Sequence, residues 1–189
     1  MAGFTAFFDA DVLYGSELRN FLMHLALMGL FRARWSEGVH KEWMTRLLAN
    51  RPDLSREKLE RTRRLMDMHA EDALVAGYEG LIEGLRLPDA NDRHVLAAAI
   101  QGQADVIVTR NVRDFPPAAL EPFGIEALHP DDFVLHLLDL GTELVIEAAE
   151  GHRESLRRPT KTVEEYLAML ENEGLTQSVA ILREYMVAG

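Results

Sequence analysis

Two short apolar runs constrain the fold of this chain more than any other feature. Residues 4–8 and 106–109 are hydrophobic or β-branched throughout, and turn-forming residues follow each run. Such runs are typical of strands that are buried on both faces. The remaining sequence has mostly helical spacing, and strands that alternate with helices form parallel sheets covered by helices. The sequence therefore predicts an α/β fold with three layers around a central parallel sheet.

Apolar residues at three- and four-residue steps predict helices along most of the chain. Ser16, Ser36 and Ser55 are each placed to cap the start of a helix. We expect further helices and one short strand at residues 78–85, 91–101, 125–128 (the strand) and 131–140.

The chain changes character after residue 140. Only helical patterns follow, and Pro159 and Gly174 separate them. We therefore predict two parts, a domain of residues 1–140 and an all-helical extension of residues 141–189.

Composition limits the classes of function. The chain has 189 residues, 48% of them hydrophobic, which is enough for a substantial core. It contains no Cys, which excludes disulfides, thiolate zinc sites and cysteine nucleophiles. The first apolar stretch is too short for a signal peptide or a membrane span, so we expect a cytoplasmic protein without a membrane partner. The formal net charge of −11 argues against nucleic acid, but residues 51–64 and 153–161 are locally basic.

Acidic residues follow the predicted strands and recur in the helices between them. Asp9 directly follows the first run, and Glu42, Asp92 and Asp114 come later. Ligands in parallel sheets gather at the carboxyl ends of strands. If the fold brings these carboxylates together, their repulsion requires a cation, and carboxylate oxygens suit Mg²⁺ or Mn²⁺. This pattern predicts metal-assisted phosphodiester hydrolysis.

Each acidic residue alone also has an ordinary structural interpretation. Asp89 is placed to cap the helix that begins near residue 91. Asp92 suits the first turn of that helix, where it complements the helix dipole. Glu42 suits a surface position, Asp114 suits a turn, and Asp11 suits the turn after the first strand. The seven histidines lack a metal-ligand spacing and are interpreted as surface or core residues.

The ordered combination resembles the PIN-domain endoribonucleases of the VapC toxin type. Residues 7–14 resemble the opening strand of that family with its Asp, and residues 35–43 resemble its second motif. Residues 87–99 resemble the third motif, and residues 106–115 the fourth. The resemblance covers residues 4 to about 138. It implies a metal-dependent endoribonuclease, the toxin of a type II toxin–antitoxin pair.

The resemblance also implies roles for individual residues. The implied catalytic acids are Asp9, Glu42, Asp92 and Asp114. They would bind Mg²⁺ or Mn²⁺, with Asn111 or Asp114 completing the ligand set. Three further residues would orient the ligands without binding the metal ion themselves: Asp89, Thr109 and Asp11.

The resemblance further implies partners. The substrate would be RNA, and we expect a cognate antitoxin and a homodimer. From the apolar stripe that includes Val163, Tyr166, Leu167 and Leu170, and from the basic stretch before it, we predict that the helical extension forms a dimer or antitoxin surface, or flanks the RNA groove. Candidate RNA-contacting residues are Arg61, Arg64, Arg93, Arg110 and Arg113.

Two other functions compete with the ribonuclease. The strand-end acids Asp9 and Asp11, with Thr109 and the pair Asp131-Asp132, also resemble haloacid-dehalogenase-like phosphatases. That mechanism needs a lysine between the second and fourth motifs, and none lies between residues 109 and 131. The second alternative is an inactive PIN-like interaction module, in which Asn111 marks a weakened site.

Overall fold

The structure is a computed structural model that describes residues 3–188. Its centre is a five-stranded sheet in the order β3-β2-β1-β4-β5, in which every pair of neighbouring strands is parallel. The strands are β1 (Thr5–Phe8), β2 (Arg32–Ser36), β3 (Leu74–Val75), β4 (Val106–Val108) and β5 (Glu126–Leu128). The predicted α/β fold with a central parallel sheet is confirmed.

The two apolar runs form the two strands at the centre of the sheet. β1 and β4 are buried along their whole length, and Phe7 lies in register with Ile107. On one face the rings of Phe8, Phe31 and Phe133 meet edge to face, with centroids 5.0–5.9 Å apart. Truncating such a buried ring to Ala typically costs about 3–5 kcal/mol. The core therefore fixes the carboxyl ends of β1 and β4 side by side.

The sequence prediction missed two strands. β2 escaped because Arg32 and Arg34 interrupt its apolar residues, so no continuous hydrophobic run marks it. β3 has only two residues, too few to show a period. Placing only helices between the two apolar runs was therefore wrong.

Helices cover the sheet, as predicted. The helices are α1 (Ala10–Leu13), α2 (Ser16–Leu27), α3 (Glu37–Asn50), α4 (Arg56–His69), α5 (Arg93–Gln101), α6 (Pro117–Leu120), α7 (Pro130–Ser155), α8 (Val163–Asn172) and α9 (Thr176–Met186). Four short 3₁₀ helices complete the set at Glu79–Gly84, Ala90–Asp92, Val112–Asp114 and Glu121–Phe123.

The predicted helix caps are partly confirmed. The hydroxyls of Ser36 and Ser55 accept hydrogen bonds from backbone N–H groups three residues later, as a cap requires. Ser16 is instead the first residue of α2, and Gly15 holds the cap position without a side chain to bond.

The extension is joined to the sheet domain by one long helix. α7 changes direction at Gly141, whose backbone is not helical, and continues to residue 155. The boundary between residues 140 and 141 stays a prediction, and it falls at this kink. α7 packs against α2 and α9, and α8 packs against α9.

A buried carboxylate fixes α9 to α7. The Asp131 carboxylate accepts hydrogen bonds from the backbone and side chain of both Gln177 and Ser178, at 2.7–3.3 Å. It thereby satisfies N–H groups at the start of α9 that have no partner within that helix. Within residues 3–188, no helix is long and apolar enough to cross a membrane.

Candidate active site

The first half of the candidate site is formed where β1 and β4 end. The Asp9 backbone N–H donates to the Val108 carbonyl at 3.0 Å, which continues the pairing of the strands. The Thr109 hydroxyl donates to Asp9 Oδ2 at 2.9 Å, and the Ala10 N–H donates to Oδ1 at 2.7 Å. Asp9 is buried, and these bonds hold its carboxylate in one orientation.

Asp11 organises the turn after β4. Its carboxylate accepts hydrogen bonds from the Arg110 backbone N–H at 3.1 Å, the Thr109 hydroxyl at 3.3 Å and the Asn111 amide at 3.0 Å. Because the Asn111 amide nitrogen donates to Asp11, its amide oxygen is not used in this bond. Asp11 therefore holds Thr109, Arg110 and Asn111 in place.

The second half of the site is formed by α3 and α5. One Glu42 oxygen is hydrogen-bonded to His94 Nε2, and the other lies 3.8 Å from Arg46 Nη2. A Cβ at Gly38 would lie 2.9 Å from His94 Nδ1, so glycine permits this close approach of α5 to α3. Asp92 immediately precedes α5, two residues before His94.

The carboxylates affect one another's protonation. Burial raises the pKa of Asp9 to about 7, and the charges of Asp11 and Glu42 add to the increase. Burial also raises the pKa of Asp92 to about 6, with further contributions from the charges of Asp89, Asp114 and Glu42. The fold has therefore brought like charges close enough to resist ionisation.

Histidine 94 is a neighbour of these acids that the sequence interpretation missed. Burial lowers the pKa of His94, but its hydrogen bond to Glu42 and the charges of Glu42, Asp9 and Asp92 outweigh burial and raise it. The available signal was its helical spacing: His94 lies two residues after Asp92, at the start of the same apolar helix.

The outer acids of the predicted set have different surroundings. Asp89 accepts a hydrogen bond from the Asn91 N–H at 2.9 Å, so it has the capping role considered for it. Asp114 is half-buried at the end of a 3₁₀ helix, and its charge acts on Asp92. Glu37, the other acid in residues 35–43 besides Glu42, forms an ion pair with Arg63.

The predicted RNA-contacting arginines are dispersed. Arg110 donates to the Glu173 carbonyl at 2.7 Å and carboxylate at 2.9 Å, which ties the turn after β4 to the extension. Arg93 donates to the Ala90 carbonyl at 3.1 Å. Arg61, Arg64 and Arg113 are exposed.

The donor set fits a hard divalent cation in charge and in chemistry. Its atoms are carboxylate oxygens, and the raised pKa values of Asp9 and Asp92 express a negative potential that a cation would relieve. Within residues 3–188, no three acidic or histidine side chains already converge at metal-ligand distances. The Glu42 carboxylate is engaged by His94 and lies near Arg46.

Comparison with known proteins agrees with this geometry. The model of the family described as PIN domain matches residues 5–113, which include both central strands, Glu42 and Asp92. The chain belongs to the PIN-domain family. The predicted family is thus confirmed.

The C-terminal helices also match a family. The VapC50 C-terminal domain matches residues 130–184, so this PIN protein is of the VapC type with a C-terminal extension. A protein of Mycobacterium tuberculosis named "Putative ribonuclease VapC50" is 52% identical over 71 residues, which are 38% of this chain and 41% of that protein. The match therefore spans less than half of the relative. No solved structure gives a significant match to this chain.

The phosphatase alternative loses its acidic fourth motif. Asp131, which that mechanism would place at the reaction centre, is buried beneath the start of α9. Its carboxylate is fully engaged by Gln177 and Ser178.

Proposed function

We propose that this PIN protein is a metal-dependent endoribonuclease and the toxin of a toxin–antitoxin pair. The observation that carries the proposal is the placement of Glu42 where its charge acts on both Asp9 and Asp92, with Asp114 acting on Asp92 as well. Several neighbouring carboxylates repel one another in a fold without a cation. A divalent cation would relieve this repulsion and can assist the hydrolysis of RNA.

In the proposed site, Asp9, Glu42 and Asp92 hold Mg²⁺ or Mn²⁺. Asn111 or Asp114 completes the set. The ion supplies positive charge that stabilises the phosphate oxygens as the phosphodiester bond breaks.

Other residues of the chain orient these ligands. Thr109 fixes the carboxylate plane of Asp9 through its 2.9 Å hydrogen bond. Asp11 orients the Asn111 side chain so that its oxygen can face a cation. His94 is hydrogen-bonded to the Glu42 carboxylate, which would also serve as a ligand to a bound cation.

The toxin part of the proposal rests on the VapC relationship of both segments. An antitoxin would have to neutralise the enzyme, and the acidic chain, with its net charge of −11, favours a basic partner.

Cleavage of a labelled single-stranded RNA tests the enzyme proposal. We expect cleavage by the parent in Mg²⁺ or Mn²⁺, none in excess chelator, and none by Asp9→Asn. Asp139→Asn is the matched control, because Asp139 is exposed on α7 and its substitution changes the net charge equally. Equal cleavage by the parent and Asp9→Asn would refute the proposed site.

Growth of cells after induction tests the toxin proposal. We expect arrest with the parent and normal growth with Asp9→Asn at the same protein level. Normal growth with both, despite RNA cleavage in solution, would retain the nuclease and reject the toxin.

A further inference from the structure

Arg19 is a buried cation in the middle of an apolar helix face. Its side chain lies in α2 and is 6% exposed, and no acidic group within residues 3–188 forms an ion pair with it. Its pKa is lowered by burial to about 10, so it stays charged at neutral pH. The charge of Glu17 opposes this lowering without forming an ion pair, so the desolvation of the guanidinium is only partly offset. An anion bound from solution would offset the remainder.

The guanidinium is held in a fixed orientation. Nη1 donates to the Leu13 carbonyl at 2.9 Å and the Tyr14 carbonyl at 3.4 Å. The central carbon lies 4.8 Å from the centre of the Trp43 ring. Nε is buried and has no hydrogen-bond partner. One edge of the planar group is thus used by the protein, and the other has unused donor capacity.

Arg19 lines a large cavity that reaches Asp11, at the edge of the candidate active site. The cavity has a volume of about 1060 Å³ and also contacts Asp11, Arg46 and Lys58. Its far wall comes from the end of α8, where Glu173 is already paired with Arg110. The cavity therefore adjoins the candidate active site at Asp11, and cations outnumber acids in its lining.

We propose that Arg19 binds a backbone phosphate of the RNA next to the one that is cleaved. This inference rests on the proposed ribonuclease function. The phosphate would supply a negative charge at hydrogen-bond distance, and the donor capacity that the protein leaves unused suits phosphate oxygens. Since Trp43 and two carbonyls already hold the group, little entropy is lost on binding.

The net charge of the chain makes such a residue necessary. A protein with a charge of −11 and a group of carboxylates at its reaction centre repels a polyanion. Local cations beside the carboxylates can reverse that repulsion where the strand must lie. Arg46 and Lys58 would add to the attraction at the rim of the same cavity.

A purely structural role for Arg19 predicts something different. Its bonds to Leu13 and Tyr14 cap the carbonyl end of α1, and that role alone would affect folding but not the salt dependence of RNA binding. The salt dependence counts phosphate contacts, with a slope of about −0.7 per contact for a single strand.

The test measures RNA affinity as a function of salt. A fluorescent single-stranded RNA of about eight nucleotides is titrated with Asp9→Asn protein, which should not cleave it, in chelator between roughly 50 and 200 mM salt. Adding Arg19→Gln should weaken binding about tenfold or more and reduce the slope of log K against log salt by about 0.7. Arg32→Gln is the matched control, since Arg32 is exposed at the opposite end of β2. The control should leave both values unchanged.

Two further variants keep the test decisive if Arg19→Gln fails to fold. Arg19→Lys keeps the charge, so it should retain most of the slope while it loses affinity with the second hydrogen bond. Lys58→Gln lies at an exposed position and should reduce the slope by a smaller amount. Folded Arg19 variants that bind RNA like the Asp9→Asn background would overturn the inference and leave the nuclease standing. Absence of RNA binding by that background, in both chelator and magnesium, would instead overturn the proposed function.

Discussion

Asp9 and Asp131 are both buried carboxylates, and the protein treats them in opposite ways. Asp131 lies between the sheet domain and the extension, where four hydrogen bonds from Gln177 and Ser178 outweigh burial and lower its pKa. Asp9 lies at the edge of the sheet, where burial and the charge of Asp11 outweigh two hydrogen bonds and raise its pKa. The hydrogen bonds to Asp131 suffice to stabilise its charge inside the protein. The two hydrogen bonds to Asp9 do not, which is expected of a group that binds something from solution.

The largest expected effect is on activity at the sheet edge. Asp9→Asn should reduce RNA cleavage about a thousandfold or more, since each tenfold loss corresponds to about 1.4 kcal/mol of lost transition-state stabilisation. Single-turnover cleavage rates in saturating magnesium measure this loss. Asp131→Asn should retain cleavage within a few-fold of the parent, and a comparable loss there would remove the functional difference between the two carboxylates.

Asp9→Asn should increase the stability of the protein although it reduces cleavage. The pKa of Asp9 is about 7 in the folded protein and near 3.8 when unfolded, so its ionisation destabilises the fold as pH rises from about 4 to 7. In chelator, Asp9→Asn should therefore unfold at higher denaturant concentration than the parent, and the gap should widen across this pH range. A constant gap would show that the carboxylate is not under electrostatic strain.

His152, in the contact between α7 and α2, should make the protein less stable as pH falls, the reverse of the effect of Asp9. Burial lowers the pKa of His152 to about 4, with a further contribution from His24, against 6.5 for the unfolded side chain. The unfolded chain thus binds the proton first, and stability present above pH 6.5 is lost as pH falls toward 4. The full loss is about 3 kcal/mol, at about 1.4 kcal/mol per pH unit. Urea unfolding of the parent at a series of pH values measures it.

His152→Gln should flatten that acid limb. Gln still offers an acceptor for the Tyr166 hydroxyl, which lies 2.8 Å from His152 Nδ1. The control is His69→Gln at an exposed position on α4, which should keep the acid limb of the parent. An unchanged acid limb in His152→Gln would assign acid sensitivity to another group.

Removing the charge of Asp131 should lower the free energy of unfolding by less than the full protonation of His152 does. Asp131→Asn replaces charge-assisted hydrogen bonds by weaker ones and leaves one donor facing another, for a loss of about 2 kcal/mol. Thermal unfolding followed by circular dichroism measures the loss. Asp132→Asn, one residue later and exposed, should change stability very little.

The smallest effect should come from the ion pair between Arg110 and Glu173. Both side chains are partly exposed, and such a pair contributes about 0.2–1 kcal/mol. Glu173→Gln should reduce stability by no more than that, and the reduction should shrink at high salt. A larger, salt-independent loss would mean that this contact with the extension depends on packing and not on charge.

The sequence predicted the sheet edge better than the contact with the extension. Asp9 and Asn111 follow strands that were recognisable as apolar runs, and the resemblance to PIN domains supplied the order of the acids. The role of Asp131 was not predictable, because its partners Gln177 and Ser178 belong to a helix that only tertiary packing brings to it.

Two residues of the site region were missed for physical reasons. Arg19 interrupts the apolar face of α2, three residues before Leu22. Arginine is rarely buried, so a charge on the buried face of a helix indicates a specific role. His94 meets Glu42 through a contact between α3 and α5 that depends on Gly38. β2, which orders the start of α3, was hidden by its arginines.

The parallel pairing of β1 with β4 also governs when the site can exist during synthesis. The hydrogen bond between Thr109 and Asp9 joins residues 100 positions apart in the sequence. A chain leaves the ribosome from its N-terminus, so Asp9 emerges long before the strand that must hold it. A nascent chain that ends before residue 109 has no assembled reaction centre. The proposed nuclease would therefore be inactive until translation has passed residue 109.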